Sequence, residues 1–200
     1  MKISSRVYEL QGPYIKHNYT YINISDIHSN YKAMAVIKEV IDYINPDFIV
    51  MTGDILDTVD NKNNPKLFEI INSISEKYPI FISYGNHDCV SSHHRHEMTG
   101  DYSALNILDK NKANILASRG FYNLSDDIRL ISFNTKSKDW YYEEREEKSV
   151  FLDEFNRDYA PSNDRFNILL THSPNPFFWK FGIIFTLFLN KSQVFFHLKG

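Results

Sequence analysis

Apolar positions recur along this chain in two rhythms. YTYINI (19–24), FIVM (48–51), PIFISY (79–84), IRLISF (128–133) and FNILL (166–170) are short runs rich in β-branched and aromatic residues, the pattern expected of strands. FIVM has no polar position, as in a strand covered on both faces. Between these runs the spacing changes. From Asn30 to Ile44 the apolar residues Met34, Ile37, Val40, Ile41 and Ile44 recur at helical intervals, and Asn45-Pro46 ends the pattern. Leu67, Ile70, Ile71 and Ile74 repeat it over 66–77, opened near Asn64-Pro65. Strand, helix, strand, helix, strand predicts βαβ units, an α/β chain and a largely parallel sheet. Residues 134–165 are charged and irregular and read as a surface excursion.

Composition narrows this only a little. Two hundred residues suit a single domain with a sizeable core. A net charge of −3, with no basic run, argues against a general nucleic-acid binder. Fifteen Phe and thirteen Tyr predict an aromatic-rich core and cleft. Cys89 is the single cysteine, so no internal disulfide can form, and MKISSRVYEL has no apolar signal-peptide core. The most apolar stretch, FGIIFTLFL (181–189), is about half the ~20 residues needed to span a bilayer. The chain therefore reads as soluble and cytoplasmic, with no transmembrane segment and a peripheral membrane contact left open.

In a parallel sheet, the loops at the carboxyl ends of the strands converge on one crevice. Here those loops carry SDIH, TGDILD, GNHD and THSP, which offer Asp26 and His28, then Asp54, then Asn86 and His87, then His172. Each has a bland explanation alone: Gly-Asp is usually a turn, Asn tolerates a left-handed backbone, and a lone His is often structural. Together, all following strands and all rich in oxygen and nitrogen donors, they point to metal. Two divalent ions about 3.5–4 Å apart need one carboxylate that serves both. Asp54, central in the order, is the natural bridge. Asp26 and His28 reach one ion, Asn86 and His172 the other. Mixed carboxylate and imidazole ligation suits Mn, Fe, Zn or Co better than Ca, and the lack of thiolates argues against a structural zinc site.

These four blocks, in this order and each after a strand, resemble the calcineurin-like metallophosphoesterases over about residues 19–176. The resemblance implies two stacked mixed β-sheets flanked by helices, and a metal-bridging hydroxide that attacks phosphorus in line. It implies a phosphomonoester or phosphodiester as substrate. Asp26, His28 and Asp54 would hold the first metal; Asp54, Asn86 and His172 the second. His87 would face the substrate, as donor to the phosphoryl oxygens or acid to the leaving oxygen. Asp57 would orient that ring; Asp88 itself reads as a support behind the ligands or as a loop cap.

The chain departs from the family at its end. The family's last block, Gly-His-x-His, is missing, and the nearest match is His197-Leu198-Lys199. His197 suits the first histidine; Lys199, cationic and without a lone pair, does not suit the second. Residues 176–200 contain no Asp or Glu. One reading is a buried terminal strand or helix. The sharper one is a change of frame or stop near residue 180, which leaves one domain over 1–200 with an atypical or truncated tail at 177–200. A catalytically weak or inactive relative, acting as a binding module or without function, is then the rival to an active hydrolase. His93, His94 and His96 in HHRH read as a mobile loop over the cleft, and Cys89 has no evident base beside it.

Overall fold

The structure is a computed structural model that describes residues 5–12, 14–93, 101–109, 113–116, 120–132, 161–172 and the strand 193–199. The expected excursion at 134–165 lies outside these residues up to position 160. His94, His96 and the apolar run 181–189 lie outside them as well.

The described chain runs β1 (Ser5–Gln11), β2 (Tyr19–Ile24), α1 (Tyr31–Ile44), β3 (Phe48–Thr52), α2 (Asn64–Ser75), β4 (Ile80–Ser83), α3 (Asn106–Asp109), β5 (Ala113–Ile115), β6 (Phe121–Asn123), β7 (Ile128–Ser132), β8 (Phe166–Leu170) and β9 (Gln193–Lys199). The strands form two sheets, one ordered β1-β9-β2-β3-β4-β5 and the other β6-β7-β8. β2 through β5 are parallel, β9 is antiparallel to β2, and the smaller sheet is mixed, so the expected α/β architecture of two mixed sheets and helices is what the chain adopts.

Alternation along the strands explains the layering. On β2, β3 and β4, Ile22, Ile24, Ile49, Met51, Ile80 and Ile82 point one way and join Met34, Ile37, Ile41, Leu67, Ile71 and Ile74 of the two helices. Tyr21, Phe48, Val50 and Phe81 point the other way and meet Ile128, Leu130, Ile168 and Leu170 of the smaller sheet. The helix-facing side is aliphatic and the inter-sheet side aromatic, with Tyr21 and Phe48 stacked at 4.9 Å and Phe81 edge-on to Phe48 at 6.3 Å. This is where part of the high aromatic content goes.

The helix boundaries follow local chemistry. Asn30 caps α1 by accepting the Ala33 N–H at 3.0 Å, and Asn45 closes it at φ +53°. Pro65 sits in the first turn of α2, where its missing N–H costs nothing. No helix among the described residues is long and apolar enough to cross a membrane.

Candidate metal centre

The loops that follow β2 and β3 do not separate when the strands end. Asp26 N–H donates to Gly53 O at 3.2 Å, His28 N–H to Asp54 O at 3.0 Å and Ser29 N–H to Ile55 O at 2.9 Å. This irregular ladder holds SDIH against TGDI. It also forces an unusual backbone. Asp26, His28, Ser29 and Asp54 all have positive φ, between +47° and +57°, and Asn45 is the one other non-glycine residue that does so among those described. Left-handed backbone is sparsely populated by L-residues and gathers where the surroundings over-determine it.

Glycine makes the third loop fit. Gly53, at φ +85°, packs so closely on Gly85 that a Cβ on it would lie 2.6 Å from the Gly85 main chain. GNHD is thereby pressed onto Asp54, whose Oδ1 accepts the His87 N–H at 2.9 Å. Asp88 fastens the contact from below. It is fully buried and accepts N–H bonds from Leu56 and Gly85, both at 2.8 Å. Burial pushes its carboxyl up to about 7, and those two bonds offset part of that rise. The loop-capping role expected for Asp88 matches these contacts.

Asp54 is the centre of the cluster. Ligand atoms of His28, Asp54 and His87 lie within 4.8 Å of one another, and so do those of Asp26, Asp54 and His172. Asp54 Oδ2 is 3.2 Å from His172 Nε2 and 3.6 Å from His28 Nε2, while His28 Nε2 is 3.8 Å from Asp26 Oδ1. Residues 26 and 172, far apart in sequence, are therefore brought to one point, and Asp54 belongs to both groups. His28 is near both Asp26 and Asp54, and His87 joins His28 and Asp54 in the first of these groups. The His28 and His87 rings meet edge to face at 4.8 Å. Asn86, the residue before His87, is half-buried and its side chain does not cap the short 3₁₀ turn His87–Cys89 that it precedes.

Two histidines are oriented by main-chain carbonyls. His172 Nδ1 is 3.0 Å from Thr52 O, and His87 Nδ1 is 3.0 Å from Asp57 O. A carbonyl oxygen only accepts, so each Nδ1 carries the hydrogen and each neutral ring keeps its lone pair on Nε2. For His172 that atom is the one beside Asp54. The expected hold of Asp57 on His87 takes a different form from the one expected of an acid: the contact runs through the Asp57 backbone oxygen.

The electrostatics suit a cation. Contact with His28 holds the Asp26 carboxyl below the ordinary range against the opposing effect of burial, helped by a 2.6 Å bond from Ser25. Asp26 in turn raises His28. Burial works against charge on His172, yet Asp54, the Thr52 carbonyl and Asp26 together push it up to about 9. Carboxylates that draw protons onto two imidazoles are equally suited to draw a divalent ion in their place. The donor set, carboxylate oxygen plus imidazole Nε2 around a buried Asp54, fits such a metal.

Two sequence expectations lie elsewhere. The register of β9 puts His197 opposite Thr20, four positions before Ile24 and so about 13 Å along the strand from where the site's loops begin. His197 is thus remote from the cluster, and Lys199 lies further still from it. Cys89 is buried with its thiol against Asn86 O at 3.5 Å. Sequence reading missed two buried polar residues, Ser29 in the loop after β2 and Asn64 at the start of α2. Nothing in their spacing marks them.

Residues 19–192 match the family described as calcineurin-like phosphoesterase. No curated protein matches. Among solved structures, the chain is similar to one crystal structure at 14% identity and TM-score 0.47, covering 76% of this chain and 68% of the other. It is also similar to YfcE, a phosphoesterase from E. coli, at 18% identity and TM-score 0.35, covering 56% of this chain and 54% of that one.

Proposed function

This chain belongs to the calcineurin-like phosphoesterase family, and from that premise we propose that it is a metal-dependent hydrolase of phosphomonoesters or phosphodiesters. The observation that carries the reading is Asp54, a buried carboxylate shared by two donor clusters, with His172 Nε2 turned toward it by the contact of Nδ1 with Thr52 O. Asp26, His28 and Asp54 hold one divalent ion in this reading, and Asp54, Asn86 and His172 the other, the metals being Mn, Fe, Zn or Co. When bound, such a pair polarises phosphoryl oxygens and makes water nucleophilic near neutral pH.

The residues do the rest. His87 has Nδ1–H tied to Asp57 O, and a ring nitrogen within 4.8 Å of donor atoms of His28 and Asp54. A neutral ring can only accept at Nε2, so donation to a phosphoryl or leaving oxygen requires the imidazolium. Asp57 is the residue that orients the ring. The substrate is a phosphate ester, and the net charge of −3 disfavours nucleic acid. We treat 1–200 as one domain acting in the cytoplasm.

A second reading has its own support. The 200 residues contain no Gly-His-x-His, and the register keeps His197 away from the cluster. Each metal then has three protein ligands from this chain, enough for a catalytic zinc only when their geometry is held. Weak binding and low turnover, or a binding role without turnover, is the alternative. Metal content and aryl-phosphate hydrolysis separate the two. Asn86→Ala should lower metal occupancy. His87→Ala should keep metal and lose on the order of 10²–10⁴-fold in turnover. Equal metal loss in both variants would show that His87 is a ligand, and a chain that neither binds metal nor hydrolyses would end the hydrolase reading.

A further inference from the structure

Behind the cluster lies a set of polar contacts that no ligand role explains. Ser29 follows His28, is buried, and sits at φ +57°. Its hydroxyl donates to Asn64 Oδ1 at 2.7 Å and accepts the Asp57 N–H at 2.9 Å. Asn64, also buried, is the first residue of α2. Its amide donates to Thr58 O at 2.9 Å and to Val59 O at 3.1 Å. The amide orientation is settled by these partners, because the reverse would aim Oδ1 at two carbonyl oxygens. The helix does not need this side chain as its cap, since that position belongs to Asn63.

These bonds close on one peptide unit after another. Ser29 holds the Asp57 N–H, Asn64 holds the next two carbonyls, and the Asp57 carbonyl between them receives His87 Nδ1. We propose that Ser29 and Asn64 are positioning residues that set the ring of His87 by fixing the Asp57 main chain, so that the hold on His87 depends on a carbonyl and not on the Asp57 carboxylate. In its positive-φ conformation the Ser29 hydroxyl has two partners, buried Asn64 and the half-buried Asp57 N–H. Ser29 directly follows His28, so the same contacts tie together the loops that bear both rings. The catalytic consequence rests on the reading of His87 given above; the structural claim about its tautomer does not.

The test uses the full chain and three variants, Ser29→Gly, Asn64→Ala and Asp57→Asn. The first readout is the ¹⁵N spectrum of the His87 ring in EDTA at about pH 8, where an ordinary imidazole is neutral; a metal on Nε2 would itself dictate the tautomer. The native chain and Asp57→Asn should show the Nδ1–H form. Ser29→Gly and Asn64→Ala should show a mixture with Nε2–H. The second readout is kcat for an aryl phosphate with Mn²⁺ or Zn²⁺, at measured metal content. Misplacing a catalytic group by about 1 Å can cost up to ~10²-fold, so Ser29→Gly and Asn64→Ala should lose at least about tenfold with metal retained. Ser29→Gly also relieves the positive φ, so it stands if Asn64→Ala fails to fold. Folded Ser29→Gly with the native tautomer would overturn the proposal, as would loss of that tautomer in Asp57→Asn. A native chain without any hydrolysis would defeat the phosphoesterase reading, and the spectra would still decide this one.

Discussion

Replacing Gly85 with alanine tests the centre of the site with a single methyl group. A Cβ at position 85 would lie 2.2 Å from the Asp54 main-chain nitrogen, 2.2 Å from its Oδ1 and 2.9 Å from the Gly53 carbonyl carbon. Real Cβ atoms essentially never approach closer than 3.0 Å, so the loops must part by about 0.8 Å. The obstacles include backbone, which cannot rotate away as a side chain would. Asp54 Oδ1 also accepts the His87 N–H at 2.9 Å, and that bond lies across the opening gap. Overpacking costs about 1–3 kcal/mol and a hydrogen bond to a charged group about 1.5–3 kcal/mol. Together they give about 2.5–6 kcal/mol. For a chain of this size that is a fall in Tm of roughly 5–24 °C. The second effect falls on metal. At a concentration 100 times Kd a bound ion stabilises by about 2.7 kcal/mol, and a 100-fold weaker site would leave only about 0.4 kcal/mol. Thermal unfolding with and without Mn²⁺ or Zn²⁺ reads both. Gly12→Ala is the control, since its Cβ would meet the Phe166 ring at 2.5 Å, between the sheets. It should lower Tm and keep the metal response. A Gly85→Ala chain that melts like the native one and responds fully to metal would refute the packing of GNHD on Asp54.

Other consequences are read more simply. Asp54→Asn should abolish the metal-dependent rise in Tm, since one carboxylate serves both donor clusters; a retained rise would show that Asp26, His28 and His172 suffice. Asn30→Ala removes the cap on Ala33 N–H and should cost about 0.5–2 kcal/mol in urea unfolding with no change in metal affinity. Burial pushes the Asp127 carboxyl up, but bonds from the Lys16 N–H, Ser125 and Tyr19 outweigh it and hold it below the ordinary range. Its stabilisation is therefore complete above the unfolded value near 4 and is lost as pH falls through the lowered native value. Asp127→Asn should flatten the acid limb of the Tm–pH curve, and an unaltered limb would mean that the carboxylate contributes nothing.

The legible part of this molecule is the part that repeats. β2 and β3 are short runs of consecutive buried residues and burial recurs every three to four in α1, so Tyr19–Ile24 and Phe48–Thr52 stand out and Tyr31–Ile44 is found to within one residue. Ala113–Ile115 and Phe121–Asn123 are three residues each, too short for any period to register. The ligand candidates were legible for a related reason: Asp26, Asp54, Asn86 and His172 each follow an apolar run, and parallel strands deliver such positions to one edge. What holds them there has no such signature. Positive φ at His28 and Ser29 is imposed by the neighbouring loop, and neither residue type announces it. Ser29 and Asn64 are 35 positions apart with no pattern joining them. The tautomers of His87 and His172 are governed by the carbonyls of Asp57 and Thr52. Every residue has a carbonyl, so the identity of the side chain at 52 or 57 cannot encode that hold. Only the path of the main chain can, and in this site the path is decided by two glycines, Gly53 and Gly85, that let three loops approach closely enough for one carboxylate to meet them all.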